Sequence, residues 1–295
     1  MKQKPRKHNT LLTLYIVLAV LLVLTIAEAI YSNYTLTVSR YTVRSEKVTG
    51  GFRVVFLTDL HGREFGKNNS RLLEKIAAEE PDVIAMVGDI FNRNADADEI
   101  ERMCGFIQKA SEIAPVYFGL GNHESERLTT HNGDLLERIR QSGAVVLDAE
   151  YLDLEVGGTP VRIGGYMGHY RTPHLNTEDP VLMSWYNRFF NDFEDTDRFK
   201  LLLNHIPTNW VDWDYIDKYP VDLVLSGHYH GGLIRIPFLE QGLIAPYVGL
   251  FPPCTKGMFT GSQATCILTT GLAGSRLPRF FNPPEIAVVD ILSAE

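Results

Sequence analysis

The stretch Arg53-Val-Val-Phe-Leu-Thr-Asp59-Leu-His61 joins an apolar run of strand length to an acid and a histidine that stand two residues apart. Later apolar runs end in the same way, at an aspartate, an asparagine or a histidine. These later segments are residues 83–89, 116–123, 201–205 and 221–230. When strands meet at one edge of a sheet, the residues at their tips come together although they are distant in sequence. We therefore expect one site that is assembled from all five segments.

The N-terminal region predicts a membrane-spanning helix at residues 11–30. Residues 11–27 contain no charge, and the apolar character resumes at Ala29 after Glu28. About 20 helical residues cross a hydrocarbon core of roughly 30 Å. A cleavable signal peptide is the alternative, because Ala27-Glu28-Ala29 has the small-x-small form of a cleavage site. The run is longer than the usual apolar core of a signal peptide, so we favour a retained signal-anchor.

The charges around this helix predict its orientation. Residues 1–10 carry four positive charges and no acid, which indicates a cytoplasmic basic tail. The basic residues in the twenty positions after the helix are Arg40, Arg44 and Lys47. Because positive residues favour the cytoplasmic side, we expect a single-pass protein of the cell membrane with its body outside. The whole chain has a formal charge of −8, so this body is acidic and carries no signature of nucleic-acid binding.

Local patterns predict the elements that follow the helix. Residues 31–50 form a juxtamembrane segment, in which residues 35–43 alternate polar and apolar side chains as a half-buried strand does. From residue 51 onward, apolar runs alternate with amphipathic stretches, which is typical of β-α units. The predicted helices are residues 70–80 with Ser70 as the cap, 96–110 and 134–141.

After residue 144 short strands with hairpin turns replace the β-α pattern, and residues 169–198 are typical of a helix with loops. The predicted later strands are residues 145–147, 151–155, 161–165, 200–203, 221–225, 267–270 and 286–291. This order predicts an α/β fold with two packed β-sheets and helices outside. We expect one catalytic domain at residues 51–295.

Five of the nine histidines lie in the strand-end segments, together with two aspartates and one asparagine. These residues are Asp59, His61, Asp89, Asn122, His123, His205, His228 and His230. Taken singly, an Asp-x-His pair is more often an incidental surface feature than a ligand set. Gly227-His-Tyr-His230 is more suggestive, because its glycines permit a tight backbone path and its rings can face neighbouring metals. Of the histidines outside these segments, three are expected on the surface or in loops, and they are His131, His169 and His174.

The five segments carry, in order, the motifs D-x-H, G-D-x-x-x-R, G-N-H-E, N-H and G-H-x-H. With all five present in this order, residues 52–291 resemble the calcineurin-like metallophosphoesterases. The later sequences Gly231-Gly-Leu-Ile-Arg-Ile-Pro-Phe238, Leu277-Pro-Arg279 and Pro283-Pro-Glu285 are similar to the membrane-attached or exported bacterial phosphodiesterase branch. The resemblance implies the sandwich of that superfamily, in which two mixed β-sheets are flanked by helices.

The resemblance also implies a centre of two divalent metal ions. The expected ligands are Asp59, His61 and His230 for one ion, Asn122, His205 and His228 for the other, and Asp89 as the bridge. Histidine and carboxylate together suit Mn, Fe or Zn, and the sequence does not choose among these metals. Two such ions offset the negative charge of a phosphate ester and lower the pKa of a water molecule between them.

The remaining motif residues have different expected roles. His123 matches the family's general acid, which protonates the leaving group, and the pKa of histidine suits that task. Glu124 is a candidate for orienting the ring of His123. Arg93 closes its motif either as a substrate-binding residue that contacts phosphate or as a structural salt bridge. Arg276 and Arg279 are further candidates to face the site.

The expected function is a membrane-anchored phosphoesterase, a hydrolase that cleaves a phosphodiester or phosphomonoester of an envelope substrate through attack by a metal-bridging hydroxide. The expected partners are the membrane and a phosphate-ester substrate such as a lipid headgroup or a wall polymer. No sequence feature indicates an obligate protein partner. A related alternative is a lipid-linked nucleotide pyrophosphatase at the cytoplasmic face. An alternative from a different class is a catalytically inactive metal-binding scaffold.

Overall fold

The computed structural model describes residues 7–130, 133–168, 188–212, 214–246, 248–273 and 278–294. The helices are α1 (Lys7–Tyr34), α2 (Ser70–Ala77), α3 (Ala97–Ser111), α4 (Asn122–Thr130), α5 (Leu135–Gln141), α6 (residues 188–194) and α7 (Thr208–Val211). The first nine strands are β1 (Thr37–Ser45), β2 (Phe52–Leu57), β3 (Val83–Val87), β4 (Val116–Gly119), β5 (Ala144–Leu147), β6 (Glu150–Val156), β7 (Thr159–Gly165), β8 (Phe199–Leu203) and β9 (Leu223–Ser226). The later strands are β10 (Arg235–Ile236), β11 (Gln241–Gly242), β12 (Ile244–Ala245), β13 (Gly249–Leu250), β14 (Gly257–Thr260), β15 (Thr265–Leu268) and β16 (Glu285–Ser293).

Two six-stranded sheets form the centre of the domain. The first has the strand order β1-β16-β2-β3-β4-β5, and the second has the order β14-β15-β9-β8-β7-β6. Strands β2 to β5 run parallel, and so do β15, β9, β8 and β7. By contrast, β16 is antiparallel to β2, β14 to β15 and β6 to β7. Both sheets are therefore mixed, and the predicted fold class is confirmed.

Alternation along the strands divides the core into layers. In β2, Val54 and Phe56 pack between the two sheets, whereas Val55 and Leu57 face the helices α2, α3 and α5. This follows from the strand period of two, which sends successive side chains to opposite faces. A third apolar cluster, which includes Trp210, covers the outer face of the second sheet with α6 and α7. Because both faces of the parallel strands are buried, these strands hold the residues at their ends firmly.

Helix α1 stands largely outside this domain. The segment Thr10–Tyr34 is long and apolar enough to cross a bilayer, and its most apolar stretch is not buried in the domain. A signal sequence near the N-terminus has the same length and composition. The domain covers only the last turns, where Glu28 Oε1 accepts from Phe281 N at 2.8 Å and Ser32 Oγ accepts from Asn282 N at 3.1 Å. The helix continues to Tyr34, so the first residues of the predicted juxtamembrane segment are helical.

Some local predictions differ from the structure. Ser70 is the first residue of α2 and not its cap, because the preceding Asn69 has a left-handed backbone and makes no side-chain cap bond. Helix α4 was not predicted, since Asn122-His-Glu-Ser-Glu-Arg lacks an apolar stripe. Strands β10 to β13 have two residues each, which is too short for alternation to reveal them.

Candidate metal centre

The parallel strands deliver the predicted site residues to one place. Strands β2, β3 and β4 of the first sheet and β8 and β9 of the second each end within a few residues of them. In chain order these residues are Asp59 and His61, Asp89, Asn122 and His123, His205, and His228 and His230. Their possible ligand atoms form overlapping groups in which all atoms lie within 4.8 Å of one another. The carboxyl ends of parallel strands from both sheets therefore meet at this site.

Five of these residues have a left-handed backbone. The angle φ is +55° at Asp59, +48° at His61, +51° at Asp89, +66° at His228 and +47° at His230. A side chain in this region costs roughly 1–2 kcal/mol, although aspartate and histidine enter it more readily than most residues. Backbone hydrogen bonds hold the conformation, such as Asp59 N to Gly88 O at 3.1 Å and His61 N to Asp89 O at 2.9 Å. Backbone strain of this kind concentrates at functional sites.

Asp59 lies at the centre of the first ligand group. Its Oδ1 is 3.8 Å from His61 Nε2 and 3.8 Å from His230 Nδ1. These distances are too long for hydrogen bonds. They suit two ligands of a common ion, because atoms that each lie about 2.1 Å from a metal are roughly 3–4 Å apart. The first group therefore has the spacing of a metal site.

Asp89 lies between this group and a second one. Its Oδ2 is 3.3 Å from His205 Nε2, 3.8 Å from His61 Nε2 and 3.9 Å from His123 Nε2. The ligand atoms of Asp89, His205 and His228 form one group, and those of His61, Asp89 and His123 form another. One carboxylate oxygen thus lies near histidines of both groups, as expected of a bridging ligand.

The buried polar atoms fit divalent metal ions. His61 Nε2 and Asn122 Oδ1 are buried and make no hydrogen bond. Such atoms are rare in folded proteins, and each needs a partner. Because imidazole nitrogens together with carboxylate and amide oxygens suit first-row divalent metals, the residues present fit the predicted pair of ions.

Hydrogen bonds determine which nitrogens of His61 and His123 carry a hydrogen. The backbone N–H of Arg93 donates to His123 Nδ1 at 3.2 Å, so this nitrogen is an acceptor and the hydrogen is on Nε2. His61 Nδ1 also lies 3.2 Å from His123 Nδ1 and therefore acts as a donor. A His61 ring that carries its hydrogen on Nδ1 offers the lone pair of Nε2, as a metal-ligating histidine must.

Glu124 supports Asp89. Its buried carboxylate accepts from the backbone N–H groups of Asp89 at 2.8 Å, Gly121 at 2.9 Å and Phe91 at 3.0 Å. Burial, and after it the charge of Asp89, raises the pKa of Glu124 to about 7. The side chain ties the start of α4 to the loop that carries Asp89. The carboxylate therefore holds this loop, and the role of orienting the ring of His123, for which the sequence made Glu124 a candidate, stays a prediction.

Two motif glycines permit close approach to the carboxylates. A Cβ added to Gly227 would lie 2.3 Å from Thr58 Oγ1 and 2.5 Å from Asp59 Oδ2. A Cβ added to Gly121 would lie 2.3 Å from Asp89 Oδ1. Any side chain at either position would displace a carboxylate of the site, which explains why glycine opens both the G-N-H-E and the G-H-x-H motifs.

Two buried side chains hold the backbone of His230. Asn282 Nδ2 donates to the carbonyl oxygens of His230 at 2.7 Å and Leu233 at 3.0 Å. The fully buried guanidinium of Arg279 donates to the carbonyl oxygens of Gly271 at 2.9 Å and His230 at 3.4 Å. Arg279 therefore supports the backbone of the site. Sequence reasoning missed Asn282, because an asparagine before two prolines is ordinary loop composition.

Comparison with known proteins identifies the family. The model of the calcineurin-like phosphoesterase family matches residues 52–232, a stretch that holds every predicted metal ligand and His123. The chain belongs to this family. The predicted resemblance is confirmed, and this phosphoesterase is a hydrolase that acts on phosphoester bonds. Its family uses a centre of two divalent metal ions.

Relatives of this phosphoesterase match different shares of the chain. An uncharacterized metallophosphoesterase of Campylobacter jejuni is 28% identical over 81% of this chain, which spans only 59% of that protein. The UDP-2,3-diacylglucosamine pyrophosphatase LpxG of Chlamydia muridarum is 25% identical, over 82% of this chain and 84% of LpxG. The phosphodiesterase YaeI of Escherichia coli is 25% identical over 64% of each chain. The names of the last two indicate that similar chains cleave diesters or pyrophosphates.

Opposite charges offset one another inside the site of this phosphoesterase. Burial lowers the pKa of His205, but the nearby carboxylates, Asp89 first, outweigh burial and raise it to about 10. Burial lowers the pKa of His61 to about 4, and burial together with His205 lowers the pKa of His228 to about 3. The buried carboxylates therefore favour a positive charge at this place in the site. A divalent cation would supply this charge, so metal binding would release protons.

Arg93 lies at the surface beside the site. Its Nε is 2.6 Å from Glu126 Oε2, and the two side chains are 46% and 36% exposed. This contact is the salt bridge that the sequence allowed as one of two roles for Arg93. The other role, a contact with phosphate, stays a prediction. Four other residues that the sequence singled out lie outside the described residues, and they are His131, His169, His174 and Arg276.

Proposed function

We propose that this chain is a membrane-anchored phosphoesterase with two metal ions, and that it hydrolyses a phosphodiester or phosphomonoester of an envelope substrate. The observation that carries the proposal is the position of Asp89, whose Oδ2 lies 3.3–3.9 Å from three histidine nitrogens. The proposed ligands are Asp59, His61 and His230 for one ion, Asn122, His205 and His228 for the other, and Asp89 as the bridge. The donor set suits Mn, Fe or Zn.

His123 is the proposed general acid. Bound divalent ions would offset the charge of the phosphate oxygens and supply a nucleophile by lowering the pKa of water. The His123 side chain is 22% exposed, whereas those of His61, His205 and His230 are 10%, 0% and 7% exposed, so His123 is the most accessible of these four rings. To act as an acid the ring takes up a second proton and becomes an imidazolium, which gives one proton to the leaving oxygen as the P–O bond breaks and returns to neutral imidazole.

Helix α1 is the proposed anchor, and the basic tail at residues 1–10 supports a cytoplasmic N-terminus with the catalytic domain outside. The similarity to LpxG, a UDP-2,3-diacylglucosamine pyrophosphatase, favours one alternative, in which a lipid-linked nucleotide pyrophosphate is cleaved at the cytoplasmic face. Fusions after residue 295 distinguish the two. Alkaline phosphatase activity of the fusion supports the outside location, and fluorescence of a GFP fusion supports the cytoplasmic one.

Hydrolysis of bis-p-nitrophenyl phosphate by the Mn-loaded full chain tests the proposed chemistry. We expect turnover by the wild type, none by Asp89→Ala, and wild-type rates for Asp98→Ala, whose side chain is exposed on α3. No turnover by the wild type would instead support an inactive metal-binding scaffold, and equal rates for the wild type and Asp89→Ala would mean that the turnover does not come from the proposed centre.

The leaving group tests His123 separately. Nitrophenolate leaves as a stable anion, so His123→Asn should reduce its release only modestly. For a diester with an alkyl leaving group the same variant should lose about 10²–10⁴-fold, the usual contribution of general acid catalysis. Equal losses on both substrates would mean that His123 does not protonate the leaving group.

A further inference from the structure

Large apolar side chains are exposed in one part of the catalytic domain. Beyond α1, the described residues include eight exposed large hydrophobic side chains, and five of these lie between residues 238 and 251 or at position 281. They are Phe238 (102% exposed), Leu239 (69%), Leu250 (66%), Phe251 (57%) and Phe281 (49%), which we call the apolar rim. Soluble proteins seldom expose apolar side chains in clusters, and such clusters mark contact surfaces.

Backbone hydrogen bonds join the parts of the apolar rim. Phe238 and Leu239 occupy the turn between β10 and β11, and Leu250 ends β13. Leu243 N donates to Ile234 O at 2.7 Å, and Phe251 N donates to Leu243 O at 2.8 Å, so the two hairpins are connected. Arg235 N donates to Phe280 O at 3.0 Å, which connects the first hairpin to the segment that contains Phe281.

The apolar rim is attached to α1 where this helix leaves its apolar stretch. Phe281 N donates to Glu28 Oε1 at 2.8 Å, and Glu28 is the first charged residue after the uncharged run at residues 11–27. Among the described side chains of α1, Glu28 is also the first that is partly buried. Phe281 is therefore at the level of the bilayer surface if α1 crosses the bilayer. Tyr31 and Tyr34, which are 47% and 65% exposed, are suited to the same level, because tyrosine is enriched at membrane interfaces.

We propose that the apolar rim inserts into the interfacial layer of the bilayer that α1 crosses. The inference rests on the proposed anchor and adds a second membrane contact to it. A lipid surface suits this rim because its attachment to Glu28 puts it beside the helix exit, and because interfacial contacts bury aromatic and aliphatic side chains to a shallow depth. Asn282, the neighbour of Phe281 in the rim, donates to the His230 carbonyl oxygen at 2.7 Å, so the contact would place the metal centre near the lipid headgroups.

Quenching by brominated phosphatidylcholine in nanodiscs tests this contact. The variant is Phe238→Trp in the full chain. The three native tryptophans contribute background fluorescence, which is measured on the chain without this substitution. We expect brominated acyl chains to quench the added fluorescence at least twofold. Val145→Trp is the matched control, since Val145 is 44% exposed on β5, at the opposite edge of the first sheet from β1, and we expect no quenching there.

Leu18→Trp separates this inference from the anchor itself, because it reports whether α1 enters the hydrocarbon. If Leu18→Trp is quenched and Phe238→Trp is quenched no more than Val145→Trp, the rim does not contact lipid and the inference is wrong. If Leu18→Trp is unquenched, the anchor fails, and the inference fails with it. Protection of Phe238→Trp from both brominated lipid and aqueous acrylamide would mean that a second copy covers the rim, which also overturns the inference.

Discussion

Asn282 offers a direct test of how the metal centre is held. Its side chain is fully buried, and Nδ2 donates to the carbonyl oxygens of His230 at 2.7 Å and Leu233 at 3.0 Å. The Asn282→Ala variant leaves both carbonyls without these donors. Each such loss costs about 1–3 kcal/mol, so we expect the free energy of unfolding to fall by roughly 2–6 kcal/mol.

The same variant should weaken metal binding. His230 has a left-handed backbone, with φ of +47°, and its carbonyl loses its shorter hydrogen bond in Asn282→Ala. Loss of a partner that orients a metal ligand typically weakens metal affinity about 10–100-fold. We therefore expect the ion that His230 is proposed to hold to leave Asn282→Ala at a chelator concentration about 10–100-fold lower than in the wild type. The other ion should leave at the same chelator concentration as in the wild type.

The assay combines urea unfolding with metal release under a chelator titration. The matched control is Asn191→Ala, an exposed asparagine on α6, for which we expect a change in stability within about 0.5 kcal/mol and unchanged metal release. If Asn282→Ala loses stability but keeps both ions as tightly as the wild type, Asn282 is a packing residue only. If neither property changes, the reasoning about its two hydrogen bonds is refuted.

Three further predictions concern glycines, metal and the anchor. Gly227→Ala should abolish hydrolysis, because its Cβ would lie 2.5 Å from Asp59 Oδ2. The control is Gly105→Ala, whose Cβ meets nothing within 4 Å and which should raise stability by about 0.5–1 kcal/mol. Equal rates of hydrolysis by the two variants would contradict this prediction. Chelation should lower the thermal unfolding midpoint and Mn should restore it with release of protons, because bound metal stabilises only the folded state; a constant midpoint would count against a metal site. A chain that begins at Glu28 should unfold at a higher temperature than a chain that begins at Thr35, because the shorter chain lacks the hydrogen bonds between α1 and residues 279–282. Equal unfolding midpoints would show that these bonds add no stability.

The candidate ligand positions could be proposed from the sequence because each one lies within a few residues of the end of an apolar run. The run that becomes β2 is buried on both faces, so its end and the next residues, Asp59 and His61, have a fixed position. The same holds for Asp89 after β3. The order of strands and helices also predicted two packed sheets, since alternation and length determine on which side each element is buried.

The supporting residues could not be predicted in this way. Glu124 meets the backbone of Asp89, 35 residues earlier, and Asn282 meets that of His230, 52 residues earlier. Both bind backbone groups, which carry no sequence signal, and their partners are known only when the loops have folded. The left-handed conformation at Asp89 and His230 is likewise not evident from the sequence, because neither residue is a glycine.

The number of metal ions per chain tests the central claim most directly. Elemental analysis of the Mn-loaded full chain after removal of free metal should give two ions per wild-type chain. It should give one or none for Asp89→Ala, because Asp89 is the proposed ligand of both ions, and two for the surface control Asp98→Ala. One ion or none in the wild type, or two ions in Asp89→Ala, would contradict a two-metal centre bridged by Asp89.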